Sequence, residues 1–223
     1  MKNYFLLLLF FFVISSFADA KEPFIDPKTE LLRKNWKYLS YDLKDIIETA
    51  EGAKLKKPQE FLSDKGKPDD KDLEYVFSLK KIVCRDIDIF SGGFPNFLWT
   101  KYFPNLENLD LSCIPIASLK GIAHSEKIKS LGLGKLKHPE ELLLLKKCKN
   151  LKSLRIILDN NSIKYLKELT SLEALTIVYS LNLTTIKPIL NLNLKHLYLG
   201  DNKVSDKEII LFKKLHKKCF VEY

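Results

Sequence analysis

A spacing of apolar residues, Leu-x-x-Leu-x-Leu or a close variant, recurs along the chain from residue 106 onward. Clear copies begin at residues 106, 128, 151, 172 and 194, so that successive copies start 21 to 23 residues apart. A degenerate copy at 216–221 continues the series, and a weaker copy at 79–84 precedes it. Since alternate side chains of a strand point to the same side, each copy predicts a short strand whose fourth and sixth positions face a core.

The segments between these strands predict helical returns. Residues 116–122 and 163–169 carry an apolar side chain at every third position, which is the period of a 3₁₀ helix. Pro139, followed by two glutamates, predicts the start of an α-helix. Residues 206–215 predict a longer amphipathic helix with Ser205 as its N-cap. Because one such repeat cannot bury its apolar side alone, we expect consecutive repeats to stack.

Over residues 77–223 this pattern resembles the leucine-rich repeat family. The resemblance implies an α/β fold: a leucine-rich repeat solenoid, that is, a right-handed β-α/3₁₀ superhelix with parallel strands on its concave face. Members of the family usually carry Asn at the ninth position of the repeat, and Asn202 matches. Asp159 and Ser180 depart from this pattern in the two preceding repeats, and Asn161 is a candidate substitute for the first of them. The spacing and the lysine content are similar to those of exported bacterial leucine-rich repeat proteins.

The first twenty residues predict a signal peptide at 1–20. Lys2 precedes an apolar run over residues 5–14, and Ala18-Asp-Ala20 provides small residues at the cleavage point. The run is shorter than the roughly 20 residues that a membrane span requires, although a retained membrane anchor is the alternative. We therefore expect the mature protein to be secreted or to reside in the periplasm or cell envelope, with no transmembrane segment after signal cleavage.

Residues 21–76 lie outside the repeat pattern and predict a small helical N-terminal cap. A helix start is expected at Asp26-Pro27, and residues 42–53 carry a second helical pattern. A solenoid exposes the apolar side of its first repeat, so that an atypical segment is expected to cover it. The candidate covering residues are Leu31, Leu32, Trp36, Leu39, Ile46 and Ile47.

The chain contains 37 basic and 28 acidic residues, for a formal net charge of +9. Lysines cluster at 146–149 and 213–218, where they form either a solvated surface or an attractive field for anions. Of the four cysteines, only Cys84 and Cys113 lie on adjacent predicted repeats. The preferred interpretation is that all four are thiols acting as small hydrophobic side chains, with a Cys84–Cys113 disulfide as the alternative.

The sequence contains none of the motifs that would indicate an enzyme. The Gly-x-Ser-x-Gly and His-Glu-x-x-His patterns are absent, and the four histidines are scattered over different repeats. We therefore expect no catalytic residues, no metal site, no cofactor and no nucleic-acid partner.

The informative surface is the predicted concave face, where strand residues alternate with the core. Its first half is small or polar, whereas its second half gathers arginine, tyrosine and apolar side chains, a composition typical of protein interfaces. The predicted partner-binding residues are Arg155, Ile157, Val178, Tyr179, Tyr198 and Phe220.

These observations predict a monomeric, exported, non-enzymatic module that recognises a protein partner through the concave face. Two alternatives stay open. The basic charge could bind polyanionic or envelope surfaces such as glycans or anionic lipids. The protein could also be a purely structural envelope component, because β-branched and aromatic residues suit strands whatever their function.

Overall fold

Seven short strands form one parallel sheet in the described part of this computed structural model, and they follow one another in chain order. The structure describes residues 27–38, 47, 69–84 and 94–223. The strands are Lys81–Val83 (β1), Asn108–Leu111 (β2), Ser130–Leu133 (β3), Ser153–Ile156 (β4), Ala174–Ile177 (β5), His196–Leu199 (β6) and Phe220–Glu222 (β7). The predicted stack of parallel strands is therefore confirmed.

The strands are joined by returns that are mostly 3₁₀ helices. These are Leu98–Tyr102, Ile122–His124, Pro139–Lys147, Ile163–Glu168 and Lys187–Ile189. The α-helix predicted from Pro139 is wrong, because Leu142 and Leu145 are buried three residues apart and this spacing suits a 3₁₀ turn. The α-helix predicted near the end is confirmed as Asp206–Leu215, with Ser205 at the N-cap position but without a side-chain capping bond.

The core is a column of leucines that the strand register brings side by side. Leu109 pairs with Leu131, which pairs with Leu154, and the series continues through Leu175 and Leu197. All five side chains are buried. At the first end of the sheet the core becomes aromatic, with a cluster of Phe77, Phe94, Phe97, Trp99 and Phe103.

Each repeat is tied to the one before it by the carbonyl that precedes the strand. The Glu107 carbonyl accepts hydrogen bonds from the backbone N–H groups of Lys129 (2.8 Å) and Ser130 (3.1 Å). The Lys129 carbonyl does the same for Lys152 and Ser153, at 2.8 and 3.0 Å. We call this series of bonds the carbonyl ladder. It connects only neighbouring repeats, so it fixes their spacing locally.

Two helices precede the sheet, α1 at Pro27–Tyr38 and α2 at Asp70–Phe77, and the helix 206–215 is α3. Ion pairs join α1 to α2, between Lys28 and Glu74 and between Arg33 and Asp70, each at 2.8 Å. None of the helices in the described ranges is long and apolar enough to cross a membrane.

The candidate covering residues behave differently from one another. Leu32 and Trp36 pack against the core and Ile47 is buried, as a covering role requires. The prediction for Leu31 is wrong, because its side chain is exposed. Leu39 and Ile46 lie outside the described residues, as do the signal peptide and almost all of the helical pattern over 42–53. The division at residue 76 stays a prediction.

Cys84 and Cys113 form a disulfide, with their Cα atoms 6.5 Å apart. The preferred interpretation of these two cysteines as thiols is therefore wrong. The N–H of Cys84 donates to the carbonyl of Asp110 at 2.8 Å, which holds the end of β1 beside the turn that carries Cys113. Cys148 is a buried thiol, as expected, and burial raises its pKa to about 11.

Candidate binding surface

Two rows of side chains line the exposed face of the sheet. The row through the middle of the strands reads Val83, Asp110, Gly132, Arg155, Thr176, Tyr198 and Glu222. The row before it reads Lys81, Asn108, Ser130, Ser153, Ala174, His196 and Phe220. The larger side chains are on β4 to β7, whereas β2 and β3 offer small and polar groups.

Arg155 and Tyr198 lie in the same row with only Thr176 between them. Both side chains are exposed, and two strand spacings separate their positions by about 10 Å. The Tyr198 ring lies against Gly200, where a β-carbon would be 2.7 Å from ring atom Cε1. The glycine therefore gives the tyrosine ring room to lie flat along the end of the strand.

Phe220 lies in a different row from the one that the sequence predicts. The degenerate last copy places Phe220 beside Tyr198, but in the structure Phe220 pairs with His196 and Glu222 pairs with Tyr198. Phe220 remains 63% exposed, and its ring centroid is 6.2 Å from that of His196. His196 is thus a surface residue that the sequence analysis missed, because the assumed register paired it with no aromatic neighbour.

Val178 does not belong to the exposed face. Its side chain is only 7% exposed, so the prediction that it lies on the exposed face is wrong. The strand ends at Ile177, and Tyr179 adopts a left-handed backbone conformation with φ of 49°. The alternation of exposed and buried positions therefore stops before Val178. Ile157, at the corresponding position after β4, is half-buried.

Tyr179 and Leu181 project from the loop that follows β5. Their side chains are 65% and 62% exposed, among the most exposed large apolar groups of the described chain. Leu181 was not predicted, since it lies beyond the strand positions from which the concave face was derived. The exposed apolar side chains of this region therefore lie both on the strands, as Tyr198 and Phe220, and on the loop after β5.

A cavity of about 200 Å³ opens at the ends of β3, β4 and β5. It lies between the loops that follow these strands, next to the exposed face. Its lining residues are Lys135, Leu136, Pro139, Ile157, Leu158, Asp159, Ser162, Tyr179, Ser180, Leu181 and Asn182. We call it the loop cavity.

Asp159 organises the loop after β4. Its Oδ1 accepts hydrogen bonds from the N–H groups of Asn161 (3.0 Å) and Ser162 (2.9 Å) and from the Ser162 hydroxyl (2.5 Å). The Ser162 hydroxyl is the main reason why the pKa of Asp159 lies below its usual value, and Lys135 adds an attraction. Asn161 was expected to replace the ninth-position asparagine in binding backbone groups. Asp159 itself binds them instead.

The ninth-position residues of the next two repeats also bind backbone groups. The Ser180 hydroxyl accepts from the N–H of Leu158 at 2.9 Å and donates to the carbonyl of Val178 at 3.0 Å. Oδ1 of Asn202 accepts from the N–H of Val204 at 2.8 Å. A serine can thus replace the asparagine, because its hydroxyl bridges two repeats.

Within the described ranges no three His, Cys, Asp or Glu side chains come together in a group that could hold a metal ion. No protein-family model and no curated protein matches the sequence. The comparison with solved structures is therefore the one that informs on the fold.

An internalin of Listeria monocytogenes has a similar structure, with a TM-score of 0.52 and 21% sequence identity. The match covers 81% of this chain and 48% of the internalin, so that the chain spans about half of its length. A leucine-rich repeat protein of Leptospira interrogans matches with a TM-score of 0.46 at 21% identity, over 74% of this chain and 45% of that one. Internalin C2 of Listeria monocytogenes matches with a TM-score of 0.35 at 18% identity, over 80% and 91%. The chain has the leucine-rich repeat fold.

Proposed function

We propose that the protein is a non-enzymatic module that binds a protein partner on the exposed face of its sheet. The observation that carries the proposal is the exposure of Arg155, Tyr198 and Phe220 on one face of the sheet and of Tyr179 on the loop that follows β5. Arginine and tyrosine are enriched among the residues that dominate binding energy in protein interfaces. A contiguous exposed apolar patch is also typical of an interaction site.

The structure changes the predicted residue set in two respects. Val178 is removed because it is buried, and Ile157 contributes only part of its side chain. His196 and Leu181 are added because both are exposed beside the predicted residues. The revised surface has Arg155 on β4 as its cationic group, and its aromatic rings follow β5 or lie on β6 and β7.

Export is a further part of the proposal, and it rests on the sequence of residues 1–20. The Cys84–Cys113 disulfide supports it, since structural disulfides persist mainly in oxidising compartments. An exported repeat protein with an aromatic patch would meet its partner outside the cytoplasm.

The test is affinity capture with the purified, immobilised protein, followed by quantitative mass spectrometry of proteins bound from envelope and host-surface extracts. The wild type is compared with an Arg155→Ala/Tyr198→Ala variant. We expect a partner to be retained by the wild type and reduced at least tenfold by the variant, because truncating two central interface residues removes most of the binding energy.

The matched control is Leu143→Ala/Lys149→Ala, which also removes one exposed apolar and one cationic side chain, but on the return side of the repeats. It should bind as the wild type does. Equal capture by all three proteins would contradict the proposal, provided that circular dichroism shows all three to be folded.

A second candidate function is charge-driven binding of polyanions, and one observation favours it. A cavity of about 280 Å³ near the end of the sheet is lined by Lys214, Lys217 and Lys218. These three lysines form no ion pair with another described residue. Binding through them would weaken steeply with salt, because the Debye length falls from about 10 Å at 0.1 M to about 3 Å at 1 M. Binding through Arg155 and Tyr198 would persist.

A further inference from the structure

The loop cavity combines a buried apolar floor with two polar groups, the Lys135 ammonium group and Oδ2 of Asp159, that form no hydrogen bond to a described residue. We propose that it is a socket for one large apolar side chain of a protein partner, whose adjacent peptide group hydrogen-bonds to Lys135 and Asp159. This inference rests on the proposed function and specifies it, because the socket shares Ile157 and Tyr179 with the exposed face.

The size and floor of the socket fit a single side chain. Its volume of about 200 Å³ is below the roughly 300 Å³ or more of cavities that take a drug-sized ligand. The floor is made by the buried side chains Leu136 and Leu158, and Tyr179 and Leu181 stand above it with most of their surface in solvent. An apolar group that entered would cover the parts of Tyr179 and Leu181 that line the cavity, and removing apolar surface from water is favourable.

The polar rim selects a neutral dipolar group rather than an ion. The carboxylate of Asp159 accepts all of its hydrogen bonds from described residues through Oδ1, so Oδ2 is available as an acceptor. The Lys135 ammonium group forms no hydrogen bond or ion pair with a described residue, and it does not reach Asp159 within ion-pair distance. An acceptor and a donor of opposite charge on the same rim match the N–H and C=O of a peptide unit.

The backbone of Tyr179 supports a binding role for this loop. A bulky residue with φ of 49° is an outlier, since the left-handed region is disfavoured for side chains with a β-carbon. Asp201 occupies the equivalent place after β6 with the same φ, and aspartate tolerates this conformation much better. A strained, exposed tyrosine at the mouth of a cavity is an arrangement in which stability is given up for contact with a ligand.

The test uses capped amino acids as probes, so that it does not depend on identifying the partner. The purified ¹⁵N-labelled protein is titrated with N-acetyl-phenylalanine amide, N-acetyl-leucine amide, N-acetyl-lysine amide and N-acetyl-glycine amide, and backbone shifts are followed by NMR. We expect saturable shifts at Leu158, Ser180 and Asn182 with the phenylalanine and leucine probes, and none with the glycine probe. Preferential binding of the lysine probe, or no saturable shift with any probe, would overturn the proposal.

Two variants locate the binding. Asn182→Trp adds a bulky ring at an exposed position of the rim, and it should abolish the shifts while leaving the fold unchanged. Lys135→Met keeps the apolar stem but removes the donor, and it should weaken binding of the phenylalanine probe about fivefold, as expected for loss of one charged hydrogen bond at a partly exposed site. Unchanged binding in Asn182→Trp would show that the probes bind elsewhere and would overturn the socket.

The same variants separate this proposal from the one on which it rests. One outcome is a partner that is lost with Arg155→Ala/Tyr198→Ala and is still captured by Asn182→Trp. This result would overturn the socket and leave the exposed face as the binding site. Capture that is indifferent to the Arg155→Ala/Tyr198→Ala change would overturn the proposed function, while the capped amino acids would still decide on the socket by themselves.

Discussion

The backbone carbonyl of Ile114 occupies the space that a β-carbon on Gly134 would need. At Gly132, two residues earlier and within β3, the corresponding space is filled by the carboxylate of Asp110. Both glycines are buried. The Asp110 side chain can rotate away from a methyl group added at Gly132. The Ile114 carbonyl belongs to the backbone of a stacked repeat and cannot move away from a methyl group added at Gly134.

This difference predicts unequal costs for two alanine substitutions. Gly134→Ala should lower the free energy of unfolding by about 3 kcal/mol, the upper range for overpacking a core. Gly132→Ala should cost about 1 kcal/mol, because Asp110 can rotate and gives up only its 2.9 Å hydrogen bond to the N–H of Ser112. Urea unfolding at equal m-values measures both, and a larger loss for Gly132→Ala would contradict the interpretation.

The Cys84–Cys113 disulfide predicts a redox-dependent stability. It closes a loop with a sequence separation of 29, so the chain-entropy model gives roughly 3.6 kcal/mol of stabilisation. The double substitution Cys84→Ser/Cys113→Ser, or reduction of the wild type by dithiothreitol, should lower the unfolding free energy by about that amount. Cys219→Ser is the control, because Cys219 is a free, half-buried thiol and its replacement should leave the response to dithiothreitol intact.

Tyr179 predicts a substitution that stabilises the protein. Tyr179→Gly should raise the free energy of unfolding by about 1 kcal/mol, since glycine adopts positive φ without strain. Asp201→Gly, at the equivalent position of the next repeat, should change it by less, because aspartate already tolerates this conformation. Thermal unfolding of the two variants decides the matter, and a loss of stability in Tyr179→Gly would show that the ring makes a stabilising contact.

Asp159 predicts a pH-dependent difference between the wild type and Ser162→Ala. The hydrogen bond from the Ser162 hydroxyl lowers the pKa of the folded-state carboxyl. A group with a lowered folded-state pKa contributes stability above its unfolded pKa and loses it as the pH falls through the folded value. The stability gap between the two proteins should therefore be largest above pH of about 4 and shrink below it.

Carbon-detected NMR of the Asp159 carboxyl gives the direct measurement, and its pKa should rise in Ser162→Ala. Ser125→Ala is the matched control, because the Ser125 hydroxyl is buried without a hydrogen-bond partner in the described structure. A pKa of Asp159 that is the same in Ser162→Ala as in wild type would show that other groups hold the carboxylate.

The repeat spacing was sufficient to predict the core. Leu109, Leu131 and Leu154 pair as predicted because an inward position in a stacked repeat tolerates little except a large aliphatic side chain. The last repeat could not be aligned in the same way. Cys219 and Val221 alternate with the same period as the strand, so a shift of two residues leaves the same side chains inward and only the pairing with β6 reveals it.

The candidate site was harder to predict, because its limits depend on backbone geometry that the repeat does not encode. Val178 is apolar and follows a strand, and no sequence signal shows that the chain turns one residue later. Leu181 and the loop cavity belong to loops whose shape depends on hydrogen bonds of Asp159 and Ser180. In the sequence, Asp159 and Ser180 stand where the repeat pattern has asparagine at its ninth position. A different residue at this position therefore indicates that the loop after the strand has a different shape.

The carbonyl ladder also determines how the protein would respond to mechanical force. Because the carbonyls of Glu107 and Lys129 each bind only the next repeat, a pull along the stack is opposed by one set of bonds at a time. Extension would then proceed in steps of roughly 70 Å, the length of a straightened 22-residue segment. The segment between Cys84 and Cys113 would not lengthen, since the disulfide carries the load across it.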